Sequence, residues 1–171
     1  TRMGQPKQLL RIEGESLLQR AVRIALSTPY RPVVVVLGAN QEQIEPSLQG
    51  LDVLRVYNPD WATGMGGSIA TGLAHLLHHM PEMQQVLILV GDQPLLDSEH
   101  LLALVNANDN GTCPMVVSRY ANTTGVPALF DQSLFAELLA LHGTQGAKSV
   151  IQKHLDQAAI VDFAAGALDI D

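Results

Sequence analysis

The sequence predicts an α/β protein built on a mostly parallel sheet with helices on both faces. Segments of helical periodicity alternate with short apolar runs along the whole chain. Two of those runs, Val33-Val34-Val35-Val36-Leu37 and Val86-Leu87-Ile88-Leu89-Val90, are uninterrupted, which suits strands covered on both faces. The connections between elements are short, favouring repeated strand-then-helix units with right-handed crossovers.

Ser16 precedes Leu17, Leu18, Ala21, Val22, Ala25 and Leu26, a stripe of helical period with an N-cap in place, and the pattern stops at Thr28-Pro29. Pro32 introduces the valine run, which Gly38 ends. A helical segment near Gln41 to Leu48, a strand at Val53 to Tyr57, a helix from about Gly67 to His79 and the strand Val86 to Val90 continue the alternation. Ser98 is expected to cap a helix running to about Val105. Met115-Val116-Val117 and Val126 to Phe130 read as strands. Helices near Ser133 to Leu141 and Gly146 to Leu155 and a strand at Ala159 to Phe163 complete the order. No linker, repeat or low-complexity tract divides the chain, so residues 1–171 read as one domain.

At 171 residues a single core can bury roughly 70% of the unfolded surface, and no staple is required. No apolar run approaches the ~18 residues of a spanning helix, so membrane insertion is not expected. The lone Cys113 forms no internal disulfide, and nothing resembles a signal peptide, so the compartment reads as cytoplasmic. A net charge of -7 argues against a nucleic-acid partner, which needs a basic face to replace phosphate counterions. The basic residues are nonetheless clustered: Arg2, Lys7, Arg11, Arg20, Arg23 and Arg31 all precede the valine run. Arg20 and Arg23 are accounted for as the solvated face of the first helix.

In open α/β sheets, ligands bind beyond the carboxyl ends of the strands. That rule selects Asn58, Gly91-Asp92 and Arg119. Asp92 follows the most apolar strand, where a carboxylate suits Mg2+, which takes one or two carboxylates together with substrate phosphates; the competing reading is a turn in which Asp92 accepts backbone hydrogen bonds. Arg2 offers a planar fork for phosphate oxygens and Lys7 a compact charge, although the bare residues equally describe a basic tail. Neither GxxxxGK[ST] nor GxGxxG is present. His75, His78 and His79 share a helix face, but without an HExxH glutamate or a nearby Cys they are explained by a polar surface. Trp61 either covers a ligand or packs, and Cys113, just before Pro114, reads as a small buried thiol.

Arg2-Met3-Gly4-Gln5-Pro6-Lys7-Gln8-Leu9-Leu10 resembles the signature of nucleotidyltransferases similar to the molybdenum-cofactor cytidylyl- and guanylyltransferases, the MobA-like family. Further stretches match in order: Asn58-Pro59 to Gly64-Met65-Gly66-Gly67-Ser68-Ile69, Gly91-Asp92-Gln93-Pro94, Gly125 to Phe130, and Asp169-Ile170-Asp171. The family's opening strand and Gly-rich loop, Leu-Ala-Ala-Gly-x-Ser or a close variant, are not in this sequence. The resemblance implies a Rossmann-like, three-layer α/β/α fold that moves a nucleoside monophosphate from a triphosphate to an acceptor phosphate and releases pyrophosphate. By motif position, Arg2 and Lys7 would hold the triphosphate, Asp92 and Asp171 the magnesium, and Gly67 and Ser68 the nucleoside. Gly143-Thr144-Gln145-Gly146-Ala147-Lys148 resembles a Gly-Asp-x-Gly-Ala-Arg element, implying that Gly146 and Lys148 face the acceptor, with Thr144 in place of the acid and Lys148 in place of the arginine.

The implied chemistry needs no protein nucleophile, because the acceptor phosphate is already an anion; positioning and charge neutralisation suffice. The expected reaction is transfer of CMP from CTP to molybdopterin or its molybdenum-loaded form. Rivals are a guanylyltransferase on the same cofactor, a cytidylyltransferase for a sugar or polyol phosphate, and a non-catalytic nucleotide-binding protein that delivers cofactor to a molybdoenzyme or works with a chaperone.

Overall fold

The computed structural model describes residues 6–108, 111, 113–121 and 123–167. After a short turn at Lys7–Leu9, strands β1 (Arg11–Ile12) and β2 (Glu15–Ser16) form a small antiparallel hairpin leading into helix α1 (Leu17–Leu26). The predicted cap is a full capping box: Ser16 Oγ accepts from Gln19 N at 3.2 Å, and Gln19 Oε1 accepts from Ser16 N at 3.1 Å, which satisfies two otherwise orphaned donors. Then come β3 (Val34–Leu37), α2 (Gln41–Ile44), β4 (Leu54–Tyr57), α3 (Met65–His79), β5 (Gln85–Ile88) and α4 (Ser98–Asn106). Strands β6 (Met115–Tyr120) and β7 (Thr123–Asp131), helices α5 (Phe135–Leu139) and α6 (Ala147–Lys153), and strand β8 (Ala159–Asp162) complete the chain.

Helix α4 begins one residue earlier than its expected cap implied. Asp97, not Ser98, is the N-cap, and its Oδ1 accepts from His100 N at 2.8 Å; a carboxylate there also complements the positive end of the helix dipole.

The sheet is more mixed than the strand-then-helix reading suggested. Strands β3 and β4 pair in parallel, as do β6 and β8, but β7 runs antiparallel to both β5 and β6, giving the order β5-β7-β6-β8. The cause is the loop length. Tyr120 pairs with Thr123 across a two-residue connection, which can close a hairpin, whereas a parallel partner needs a crossover of about a dozen residues or more.

The period of two along β6 and β7 divides the core. Met115, Val117, Ala128 and Phe130 face α3, α5 and α6, while Val116 and Leu129 face Leu101 and Leu104 of α4 together with Ile24 and Phe163. A third cluster joins Leu18 and Val22 of α1 to Val35 and Leu37 of β3 and Ile44 of α2. On the opposite face of β3, Val36 approaches Gly72 so closely that a Cβ there would lie 2.8 Å from its Cγ2, so α3 can lie against the strand only with glycine at that point.

Both apolar runs that read as fully covered strands are only partly so. Val34, Val36, Leu87 and Ile88 are half-buried, because β3 and β5 are not paired with each other and a cavity of about 600 Å³ lies between them. No described helix is long and apolar enough to cross a membrane.

Candidate functional site

The mouth of that cavity collects most of the described candidate residues. Gln8, Ser68, Gly91, Asp92, Gly146 and Lys148 all line it. Asp92 arrives on the loop after β5, Ser68 on the first turn of α3, and Lys148 on the first turn of α6. Residues distant in sequence thus line one cavity, with Asp92 beyond the carboxyl end of β5 and Ser68 beyond that of β4. Lys7 sits half-buried in the turn that precedes β1, next to Gln8. Arg2 and Asp171 lie outside the described residues.

Asn58 organises the start of α3. It is 3% exposed, its backbone N–H donates to Leu37 O at 2.9 Å, and its Oδ1 accepts from Asp60 N at 3.0 Å. Its Nδ2 donates to Ser68 Oγ at 3.0 Å, and a Cβ added to Gly67 would lie 3.5 Å from the same nitrogen. The strand-end rule marked Asn58, but its role in orienting Ser68 depends on a contact ten residues away that no local pattern announces.

The glycines of the Gly64 to Gly67 stretch serve a docking function. Gly64 has φ of 133°, a region that favours glycine, and any side chain there would collide with the carbonyl of Gly143. Gly66 N donates to Gly143 O at 3.1 Å, and a Cβ on Gly66 would lie 2.6 Å from Gln145 O. The loop before α6 therefore rests on the N-terminus of α3. This brings Gly146 and Lys148 to the cavity that Ser68 lines, and a Cβ on Gly146 would lie 3.8 Å from Met65 Sδ. Helix α3 has no side-chain cap; the Gly143 carbonyl takes one of its first N–H groups instead.

The remaining strand-end selection resolves differently. Arg119 is not at the mouth: its Nε donates to Asp162 Oδ1 at 2.6 Å and its Nη2 to Asp162 Oδ2 at 3.1 Å, across the β6–β8 pairing. The hydrogen bond from Arg119 holds the Asp162 carboxyl below the usual carboxylate range. Gln93, which the sequence offered only as part of a motif, is buried and its Nε2 donates to Val126 O at 3.3 Å, tying the Asp92 loop to β7. Buried position and strand register, rather than residue type, define that role.

Elsewhere, His79 Nδ1 engages the His75 carbonyl at 2.9 Å, and Cys113 Sγ donates to Asn108 Oδ1 at 3.2 Å. Among the described residues no group of three or more His, Cys, Asp or Glu is arranged to hold a metal ion. Trp61 is 42% exposed and lies with its Cβ over Gly38, where a side chain would collide. As a donor set for a hard cation, the cavity supplies one described carboxylate, Asp92, with Lys148 also on its lining. That fits an ion completed by ligand phosphates better than an all-protein cage.

The bifunctional protein GlmU of Stutzerimonas stutzeri is 34% identical over 104 residues, covering 61% of this chain and 22% of that protein. The chain thus spans under a quarter of that relative's length. The crystal structure of Rv0371c from Mycobacterium tuberculosis H37Rv superposes with a TM-score of 0.79 at 26% identity, covering 99% of this chain and 86% of that one. A manganese complex of Rv0371c gives 0.75 at 23% identity, with 94% and 83% covered. A CMP:2-keto-3-deoxy-manno-octonic acid synthetase solved with CTP shares the fold at a TM-score of 0.70 and 14% identity, over 96% and 86% of the two chains. The family model described as the MobA-like NTP transferase domain matches residues 1–158, and the chain belongs to that family.

Proposed function

We propose that this chain transfers a nucleoside monophosphate from a nucleoside triphosphate to a phosphate-bearing acceptor, with CTP as donor and molybdopterin or its molybdenum-loaded form as acceptor. The observation that carries the reading is the gathering of Asp92, Ser68 and Lys148 around one cavity mouth in a chain of this family. An acceptor phosphate oxygen forms the new bond to the α-phosphorus, the bond from that phosphorus to the bridging oxygen breaks, and pyrophosphate leaves with the bonding electrons.

Each residue has a part in this scheme. Lys7 and Arg2 hold the leaving phosphates. Ser68, oriented by Asn58, and Gly67 bound the nucleoside. Lys148 holds the acceptor phosphate as a point charge, since its ammonium lacks the bidentate fork of arginine. Asp92 and Asp171 are the carboxylates that would hold a divalent metal, Mg2+ in this reading. Such an ion, when bound, neutralises phosphate charge and aligns the α-phosphate.

CTP is favoured because Gln5-Pro6-Lys7-Gln8-Leu9-Leu10 and Gly64 to Ile69 resemble the cytidylyl branch. The test is incubation of the protein with magnesium, molybdopterin and each of the four triphosphates, reading pyrophosphate. Release with CTP is expected. Release with GTP alone would refute the choice of base, and release with none would refute transfer to this acceptor.

A further inference from the structure

The chain is sparing with aromatic side chains, having one Trp, three Tyr and three Phe, and it divides them sharply. Phe130, Phe135 and Phe163 are buried, and Tyr30 and Tyr120 pack against the core. Among the described residues only Tyr57 and Trp61 are exposed aromatics, and both lie at the carboxyl end of the β3–β4 pair. Tyr57 is the last residue of β4, in register with Leu37, and Trp61 follows in the turn between β4 and α3. Leaving an indole in water forgoes burial that would otherwise stabilise the chain. Its exposure beyond the end of a strand that borders the cavity points to a ligand rather than to packing.

The turn holds Trp61 firmly. Its N–H donates to Asn58 O at 3.4 Å, Gly64 N donates to Trp61 O at 3.2 Å, and Thr63 N donates to Asp60 O at 2.9 Å, so the backbone on both sides of the indole is hydrogen-bonded. The side chain stands on bare backbone: a Cβ on Gly38, just after β3, would lie 2.6 Å from Trp61 Cβ and 3.0 Å from its Cγ. Glycine at position 38 is thus the condition for the indole to sit over the end of β3. Despite that footing Trp61 is 42% exposed. On the first turn of α3 that follows, Met65, also exposed, and Ser68 line the cavity. Asn58, whose carbonyl accepts from Trp61, is the residue that orients Ser68. A flat, polarisable surface fixed at its root meets a second flat ring with little loss of conformational freedom.

We propose that the exposed indole of Trp61 is a stacking platform for a flat heteroaromatic ring of a bound substrate. The identity of that ring rests on the transfer reaction proposed above, in which donor and acceptor each carry one, the cytosine of CTP and the pterin of molybdopterin. Stacking tolerates different rings because each has a π-face. Trp61 therefore adds affinity, while hydrogen-bonding groups elsewhere choose among the rings.

Trp61 is the single tryptophan of the chain, so its emission reports on this position alone. The protein is titrated in magnesium with CTP, with hydroxymethylpterin and with inorganic tripolyphosphate. Hydroxymethylpterin carries no phosphate, so no transfer occurs and binding is read apart from reaction. Quenching by CTP or by hydroxymethylpterin is expected, the first assigning the platform to the base of the donor and the second to the ring of the acceptor, with none from tripolyphosphate. By calorimetry, Trp61→Leu should bind the quenching ligand about fivefold more weakly or worse, the loss of one stacked ring. Trp61→Phe, which keeps a flat ring, should retain most of the affinity, and thermal melts verify that both variants are folded. Absence of quenching by either ring, equal quenching by tripolyphosphate, or unchanged affinity in Trp61→Leu would overturn the inference. So would a blue shift that depends on protein concentration alone, which would assign the indole to contact with a second copy. The two proposals fail separately: a chain that binds a ring on Trp61 yet releases no pyrophosphate loses the reaction alone, whereas release with the same KM values in Trp61→Leu as in the unaltered chain loses the platform alone.

Discussion

Asn58 Nδ2 donates to Ser68 Oγ at 3.0 Å, joining the end of β4 to the first turn of α3. Because Asn58 is buried and also receives Asp60 N, Asn58→Ala leaves polar groups without partners and should cost ~1–3 kcal/mol. Ser68→Ala removes only the acceptor and should leave the melting temperature nearly unchanged while raising KM for CTP. An unchanged KM in both variants would separate Ser68 from nucleotide binding.

Asp92→Asn is expected to keep the fold, since Asp92 is on a loop at the cavity mouth, while lowering kcat on the order of a hundredfold. The companion measurement is the magnesium dependence of the remaining activity. Retained turnover with an unaltered metal requirement would mean that the metal is held elsewhere.

Lys148 is exposed at the first turn of α6. Lys148→Ala should raise KM for the acceptor about tenfold, the worth of one charge-assisted hydrogen bond, with KM for CTP little changed. Lys148→Arg should restore most of the acceptor affinity. If donor KM moves instead, the assignment of Lys148 to the acceptor is wrong.

Gly64→Ala should be more damaging than its size suggests. Its φ of 133° is adverse for a side chain, with backbone strain alone worth ~1–3 kcal/mol, and the added methyl meets the Gly143 carbonyl. Loss of both stability and acceptor binding is expected, because the loop before α6 must shift. Thermal melts and acceptor KM on the same sample check this.

His100 makes stability pH-dependent. It is buried against Phe163, its Nε2 is 2.7 Å from Ser118 Oγ, and Ser118 Oγ donates to Pro127 O, so the ring N–H donates to the serine. Burial pushes the His100 pKa below its ordinary 6.5, more than Asp97 raises it. A lowered folded-state pKa contributes stability above the unfolded value, and that contribution is lost as pH falls below about 6.5. The melting temperature should therefore drop between pH 7 and pH 5. His100→Gln should flatten that part of the curve, and an identical slope in the variant would count against His100 as its source.

Much of the fold was legible because it rests on local rules. The Ser16 cap, the valine run of β3 and the helical stripe of α1 are properties of neighbouring residues, and the structure contains each. Even the reversal of β7 was latent in the short spacing between two strand-like runs, since so few residues can make only a hairpin. The strand-end rule found Asp92 and Asn58 without their partners, and it also selected Arg119, whose position across from Asp162 only register reveals.

By itself the sequence determined the alternation of strands and helices, the placement of Asp92 at a strand end and the glycine spacing between Gly64 and Gly67, all of which follow from residue type and period. Tertiary structure alone decided that Asn58 grips Ser68, that the loop from Gly143 to Gly146 docks on α3 and brings Lys148 to the cavity that Asp92 lines, and that β3 and β5 stand apart. These are contacts between segments tens of residues apart, set by the packing of helices on sheets, and no local pattern encodes them.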